Sequence, residues 1–405
     1  MSSTVLLKLL SEVECTRISI SSCRIVISKE SGSSISIEAL STSNSSGFPA
    51  QLSTASWDFI SFQLWITHKD APTLLASMEG QVYPPRALLL DWYDCNAREL
   101  PWRKNPEPWP VLLSEFILQQ TKMEVGLGYW KRMYERFPTL HEMSISSLEE
   151  VMLLWQGCGY YARARNLHKL SVIIGSRDPP IIPSDPKELE KLPGIGPYTS
   201  AAVASISFDV PIAVVDGNVK RVYSRLNAIE HTNLTDVQEW ANISLDETRP
   251  GDWNQAIMEL GAIICTPRAP KCNSCPVSEN CKAILTDNPT KYPASKRRSS
   301  TKVNGHALVI SSPDGIVLSQ RKGSQLGGLW GVPITEDPNG LQTLCIDNDI
   351  KSPERVGEIH HAFSHRDFHL QVWKVDVVKG GIRSDSVPIS RLDQRILDAA
   401  GCGES

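Results

Sequence analysis

The chain has 405 residues, 41% of them apolar and 21% charged, and a formal net charge of −4. That length allows two or three domains with substantial cores, and the composition is that of a soluble globular protein. No apolar run is long enough to cross a bilayer, which argues against a helical membrane protein. The acidic balance gives no hint of a nucleic-acid partner, but binding depends on where charge sits. Basic residues gather locally at Arg163–Arg165, Lys220–Arg225, Arg268–Lys271 and Lys296–Arg298. Taken singly, such groups read as solvated surface. The start lacks a basic region and a clear cleavage site, so no secretory signal is expected. Of ten cysteines, six are scattered and four are clustered, a pattern that fits a reducing, intracellular compartment.

Residues 1–77 are roughly one-quarter Ser and lack helical periodicity. Alternation at Ile18-Ser-Ile20 and Ile35-Ser-Ile37 is β-like. A disordered or leader extension is expected, with a small β-domain as the second reading. From Pro85 the pattern becomes helical. Ala87–Asn96 carries apolar residues at helical spacing, and Pro108-Trp-Pro110 opens a helix over Val111–Lys122. On that helix Glu115 and Gln119 share a face, with Gln120 beside them. A Glu next to Phe116 and Ile117 is either a surface group or a desolvated acid. Desolvation raises a carboxyl pKa, which suits a general acid.

Leu192-Pro-Gly-Ile-Gly-Pro-Tyr-Thr199 lies between two helical stretches, with Ser184 or Asp185 as N-cap upstream. Gly194 and Gly196 permit a tight turn that bares backbone N–H groups at the next helix start. Such a turn can hold a phosphate, or it can be a generic helical turn. Asp216, in Val215-Asp-Gly-Asn-Val-Lys-Arg-Val222, is placed at a helix N-terminus, where the dipole favours its ionised form. It serves there as a simple cap, a group facing a developing cation, or both.

The four clustered cysteines stand as Cys265-x6-Cys272-x2-Cys275-x5-Cys281. Four thiolates can close a zinc site or hold an iron–sulfur cubane. A single C-x2-C with longer arms favours the bulkier [4Fe–4S] cluster; zinc and unligated thiols remain alternatives. Residues 286–302 read as a basic, Pro-containing linker. Beyond it, Ala307–Ile310, Ile316–Leu318 and Leu370–Val378 look like strands, with Pro313-Asp-Gly315 as a turn. This is expected to be a separate α+β domain.

In chain order come Leu100-Pro-Trp-Arg103, Ser114–Thr121, Trp155-Gln-Gly-Cys-Gly-Tyr-Tyr-Ala-Arg-Ala-Arg-Asn166, the glycine turn, Val215–Val222, Asn254–Ala262 and the cysteine loop. Together they resemble the MutY-type adenine DNA glycosylases over about residues 85–285. His360-His-Ala-Phe-Ser-His365 resembles the FSH loop of that family's recognition domain. Gly327-Gly-Leu-Trp-Gly-Val-Pro333 resembles the segment before a Nudix box, but no acidic Nudix helix follows, so nucleotide hydrolysis is not expected.

The resemblance implies an all-α helix-hairpin-helix glycosylase core. It would comprise a six-helix barrel (111–215), a cluster domain built from 85–110 and 216–285, and a Nudix-like domain (303–400). It implies a monomeric base-excision enzyme acting on double-stranded DNA with adenine opposite 8-oxoguanine or guanine, and a [4Fe–4S] cofactor on Cys265, Cys272, Cys275 and Cys281. Cytoplasm or nucleoid in a prokaryote, nucleus or mitochondrion in a eukaryote, would be its place. Adenine would be flipped out of the stack, Glu115 would protonate it, and Asp216 would stabilise the cationic sugar. Tyr198 and Asn218 match positions lining that pocket. Trp102, Arg103 and Glu259 match residues near the adenine, and Gln119 and Tyr160 match residues that enter the duplex. The hairpin amides of Gly194 and Gly196, with Arg268 and Lys271, would grip the backbone. Ser364 and His365 would meet the modified guanine; a metal or surface role for His360, His361 and His365 is the alternative.

Endonuclease III-like relatives carry a Lys where Tyr198 stands. A phenol forms no Schiff base, so a monofunctional enzyme is expected, with Lys220 the remaining candidate amine. The alternatives are an endonuclease III-like bifunctional lyase and a catalytically silent damage binder. Two departures from the family stand out. Leu112 replaces a common Trp, and Cys158 replaces Leu beside Tyr160, which raises the prospect of oxidant sensitivity.

Overall fold

The computed structural model describes residues 23–29, 35–41 and 80–403, apart from 287, 295–299, 324–325 and 364–365. The described residues fall into two units, one within residues 1–81 and the other within 82–405. In the first, β1 (Cys23–Lys29) and β2 (Ile35–Ser41) pair antiparallel, Cys23 opposite Ser41 and Lys29 opposite Ile35. The alternation at Ile35–Ile37 falls in β2; that at Ile18–Ile20 lies outside the described residues.

The second unit begins with helices. α1 (Arg86–Asn96) and the single turn α2 (Pro101–Lys104) lead into α3 (Pro108–Leu118). There follow α4 (Met123–Arg136), α5 (Leu140–Ile145), α6 (Leu148–Trp155) and α7 (Ala162–Gly175). Next come α8 (Pro186–Glu190) and α9 (Pro197–Phe208). The helical part closes with α10 (Gly217–Asn227), α11 (Leu234–Ser244) and α12 (Pro250–Glu259), which runs into a π-helical turn at Leu260–Ile264.

Two cores organise these helices. One gathers Trp102, Trp109, Phe116, Trp130, Met133, Trp155 and Leu167 around α3. The other gathers Leu89, Tyr93, Val222, Tyr223, Trp240, Trp253 and Ile264, joining α1 to α10–α12. α1 thus packs onto α10–α12, across the whole stretch from α2 to α9. α3 is buried from Trp109 to Ile117, with Pro at its first turn. The apolar pattern predicts it as far as Lys122, yet it ends at Leu118. Gln120 takes a left-handed φ of 58°, and the Arg163 guanidinium donates to the carbonyls of Phe116 and Ile117 that another helical turn would use.

The segment that composition marks as a linker is partly packed. Tyr292 is buried, its carbonyl accepts from Arg225 Nε at 3.0 Å, and Ala294 N–H donates to the Glu230 backbone carbonyl. An aromatic ring reclaimed it from the tether that its Pro and Lys content suggests.

Beyond it stands an α/β region. β3 (Thr301–Ser312) runs parallel to β9 (Arg366–Asp376), and β8 (Glu354–Ala362) pairs antiparallel with β9. Short strands β4 (Gly315–Ile316) and β7 (Ile334–Thr335) flank β3, while β5 (Ser319–Gln320) pairs with β6 (Trp330–Gly331). α14 (Arg391–Ala399) covers one sheet face through Leu392, Ile396 and Leu397 against Val309, Leu370 and Val372. α13 (Leu341–Asp347) lies on the other, placing Leu344 with Leu308 and Ile310. This region docks on the first helical core. Leu329 is fully buried in it, the Tyr161 hydroxyl faces the Ile389 carbonyl at 3.4 Å, and Arg165 bonds the Gly327 carbonyl. Leu329→Ala is expected to cost about 2–5 kcal/mol by leaving a cavity, read as a lower urea midpoint for the helical transition.

Candidate active site

Glu115 lies at the centre of α3, whose neighbours Leu112, Leu113, Phe116 and Ile117 are wholly buried. Burial pushes its carboxyl up to about 7. A hydrogen bond from Tyr198 opposes the rise, the nearby Asp216 adds to it, and Arg103 opposes it. Tyr198 stands in the first turn of α9 because Gly196 caps that helix and Pro197 opens it. Its phenol is pushed well above the ordinary range by burial and by the two carboxyls, so it stays a proton donor. Its hydroxyl also faces Met258 Sδ at 3.5 Å.

Asp216 is the N-cap of α10. Its Oδ1 accepts from Val219 N–H and its Oδ2 from Asn218 Nδ2, both at 2.7 Å. Burial raises its pKa, while these bonds and the Arg221 charge pull the other way. The two acids therefore differ in kind: Glu115 is an apolar-helix acid with a phenol partner, and Asp216 is a capped carboxylate with donors that favour its anion.

Behind Asp216 a chain of polar contacts reaches the cysteine loop. Arg221 donates to Asn218 Oδ1 at 2.7 Å, to the Gly261 carbonyl at 2.6 Å and to the Cys265 carbonyl at 2.7 Å. Gly261 must be glycine, since a Cβ there would lie 2.6 Å from that of Asn218. Arg225 reaches Cys265 Sγ at 3.2 Å and the Thr266 and Pro267 carbonyls. Burial raises Cys275 to about 11, and the other three thiols add to the rise. The four therefore share one neighbourhood. Among the described residues, no three His, Cys, Asp or Glu side chains are placed to hold a single ion.

The expected adenine neighbours are arranged differently from one another. Trp102 is buried against Trp130, ring centroids 5.3 Å apart. Glu259 is 1% exposed and both its oxygens are taken. Arg98 binds them in bidentate fashion at 2.7 and 2.8 Å, and Arg103 adds a contact at 2.9 Å. These guanidinium bonds hold Glu259 down to about 2 against its burial. Arg103 also donates to Gln255 and to the Arg98 carbonyl. Glu259 is thus a fully engaged ion-pair partner.

On the outer side, Gln119 Nε2 donates to Thr199 Oγ1 at 3.3 Å, and Gln120 is exposed. Tyr160 is 46% exposed with a left-handed φ of 47°. Gln120 and Tyr160 are non-glycine residues in a strained region, worth about 1–3 kcal/mol each. Gly194 has φ 80°, and a Cβ there would meet Asn166 at 2.7 Å and Phe116 at 2.9 Å. Asp185 caps α8 through Lys187 N–H. Arg268 and Lys271 are exposed on the cysteine loop, and Lys220 is half-buried on α10. Ser364 and His365 lie outside the described residues, as does the run Lys296–Arg298.

Sequence reasoning missed several arginines. Arg163 and Arg225 are buried, not surface charge, and Arg98 had no signal at all. Leu112 is a core residue with no exposure. Cys158 is buried and its thiol is pushed up by that burial despite Arg163. It is a packing thiol, and the prospect of a sensitised thiolate is withdrawn.

A glycine turn between α8 and α9, set against a carboxyl pair on α3 and α10, is a helix-hairpin-helix arrangement. Residues 113–241 match the family described as HhH-GPD superfamily base excision DNA repair protein. An adenine DNA glycosylase of Rattus norvegicus is 32% identical, over 79% of this chain and 76% of that one. One from Buchnera aphidicola subsp. Schizaphis graminum is 38% identical, over 71% and 86%. Against one from Arabidopsis thaliana, 33% identical, the match covers 75% of this chain and spans 59% of the relative's length. A thermostable thymine-DNA glycosylase structure is 26% identical with a TM-score of 0.46, over 49% of this chain and 94% of that one. The chain belongs to the adenine DNA glycosylase family.

Protonation of Glu115 sets the sign of a stability test. Below about 4.5 folded and unfolded chains both carry the proton; between there and about 7 the unfolded chain ionises first. Wild-type stability therefore falls as pH rises through that window, by on the order of 3 kcal/mol. Glu115→Gln removes the loss. Its melting temperature is expected to exceed the wild-type value near pH 8, with the difference shrinking near pH 4.

Proposed function

We propose that this protein is a base-excision DNA glycosylase that hydrolyses the N-glycosidic bond of adenine mispaired with 8-oxoguanine or guanine. The observation that carries the chemistry is Glu115, a buried carboxyl raised to about 7 beside a protonated phenol. A neutral acid there can give its proton to a ring nitrogen of a flipped adenine. The bonding pair then leaves with the base, and positive charge develops on the sugar. Asp216, whose capping bonds favour the anion, faces that charge. Water completes the reaction at the sugar carbon: its hydroxyl becomes the new substituent, and its other proton passes to the carboxylate that Glu115 has become.

Tyr198 supports a monofunctional reaction, because no amine stands at that position to attack the sugar. The exposed strained residues Gln120 and Tyr160 suit entry into an opened base stack. The α/β region reads as Nudix-like, with Ser364 and His365 as the groups to meet the oxidised guanine.

The donor set Cys265, Cys272, Cys275 and Cys281 fits a [4Fe–4S] cluster. The four thiols influence one another, and Arg221 and Arg225 bring positive charge to Cys265, which suits an anionic cluster. When bound, that group would supply structural ligation and redox sensitivity. Purified protein is expected to be brown, with iron and acid-labile sulfide in equal amounts; a colourless zinc protein overturns this assignment.

Single-turnover cleavage of a duplex with adenine opposite 8-oxoguanine tests the enzymatic reading. Strand breaks that need alkali, slowed by about 10²–10⁴-fold in Glu115→Gln, are expected. Breaks without alkali, with efficient borohydride trapping, would establish the endonuclease III-like lyase instead.

A further inference from the structure

Arg163 is a buried cation with no acid paired to it among the described residues. Its Nη1 donates to the carbonyls of Phe116 at 2.9 Å and Ile117 at 2.6 Å. Its Nη2 donates to Thr121 Oγ1 at 3.1 Å and to the Gly159 carbonyl at 3.0 Å. The guanidinium also lies 5.2 Å from the Trp155 ring and 5.5 Å from that of Tyr160. One planar fork therefore joins two segments. The first is the end of α3, where Phe116 directly follows Glu115 and where the chain turns through left-handed Gln120. The second is the loop that presents left-handed Tyr160.

Both contacts have a physical reason. The last carbonyls of α3 lack helical partners because the helix stops, and a cation at that end is favoured by the dipole. Gly157 and Gly159 both have left-handed φ, so the Tyr160 loop lies outside any helix or strand and is fixed by side-chain contacts, with Trp155 Nε1 and Arg163 both donating to the Gly159 carbonyl. Lysine could not replace this residue, because a single ammonium does not present two parallel edges.

We propose that Arg163 is a positioning residue that couples Tyr160 to Glu115, so that entry of Tyr160 into the base stack and the placement of the acid on the flipped base are one event. The proposal rests on the glycosylase reading above. It assigns Arg163 no contact with DNA.

The test uses the full chain with Arg163→Lys, Tyr160→Ala and the double variant. The substrate is a duplex with adenine opposite 8-oxoguanine and 2-aminopurine beside the target base. Arg163→Lys is expected to slow single-turnover release by about ten- to a hundredfold, to lose the rise in 2-aminopurine emission, and to move the pH limit of release toward lower pH. The double variant is expected to be little slower than the worse single variant. Wild-type emission and rate in Arg163→Lys overturns the proposal, as do fully additive effects. Should Arg163→Lys not fold, Thr121→Ala carries the test by removing one acceptor; unchanged emission and rate there also overturn it. A wild-type protein that releases no adenine defeats the glycosylase reading instead, so the two failures are distinguishable.

Discussion

An acid buried in an apolar helix is the constraint on which this site depends. α3 is almost wholly enclosed, and its only side-chain carboxyl sits where water does not reach freely. Such a group keeps its proton unless donors or cations are brought to it. Polar neighbours come from other elements: Tyr198 from the hairpin helix α9, Asp216 from the cap of α10 and Arg103 from the preceding turn α2. The glycine turn therefore has a second task besides baring amides. It delivers a phenol to the acid. Gly194 can do this only because nothing but hydrogen fits between Asn166 and Phe116.

Arginines tie this arrangement together. Arg98 and Arg103 lock Glu259 and so hold α2 against α12, uniting the two helical cores at their seam. Arg221 and Arg225 bind carbonyls of the π-helical turn and the cysteine loop. Each guanidinium satisfies several buried acceptors at once, which a lysine cannot do. Irregular backbone is thereby packed without leaving its carbonyls bare.

Much of this was legible in the sequence because the signals are short-range. The cysteine spacing, the Leu-Pro-Gly turn, the apolar flanks of Glu115 and the cap position of Asp216 each occupy a few residues. The strands β3, β8 and β9 belong to the α/β region that apolar runs suggested, although β3 begins at Thr301, inside the stretch that reads as linker. What stayed hidden is long-range. Arg98 and Glu259 are 161 residues apart. Arg163 binds mostly carbonyls, which carry no residue signature. The early end of α3 depends on a left-handed Gln, where composition would place a glycine. Strands β5 and β6 are two residues each, too short for any period to show.

The identity of residue 198 follows from the same electrostatics. It stands between two carboxyls, close enough to hydrogen-bond one and to feel both. A cation at that point would favour both anions and draw the Glu115 pKa back down, as Arg103 already does in part. Glu115 would then hold its proton less firmly near neutrality. A phenol donates a hydrogen bond without bringing charge, and its own burial keeps it neutral. Tyrosine at 198 thus differs from a lysine there in charge as well as in nucleophilicity. Its hydrogen bond draws the Glu115 pKa down only in part, so burial still leaves that carboxyl raised to about 7.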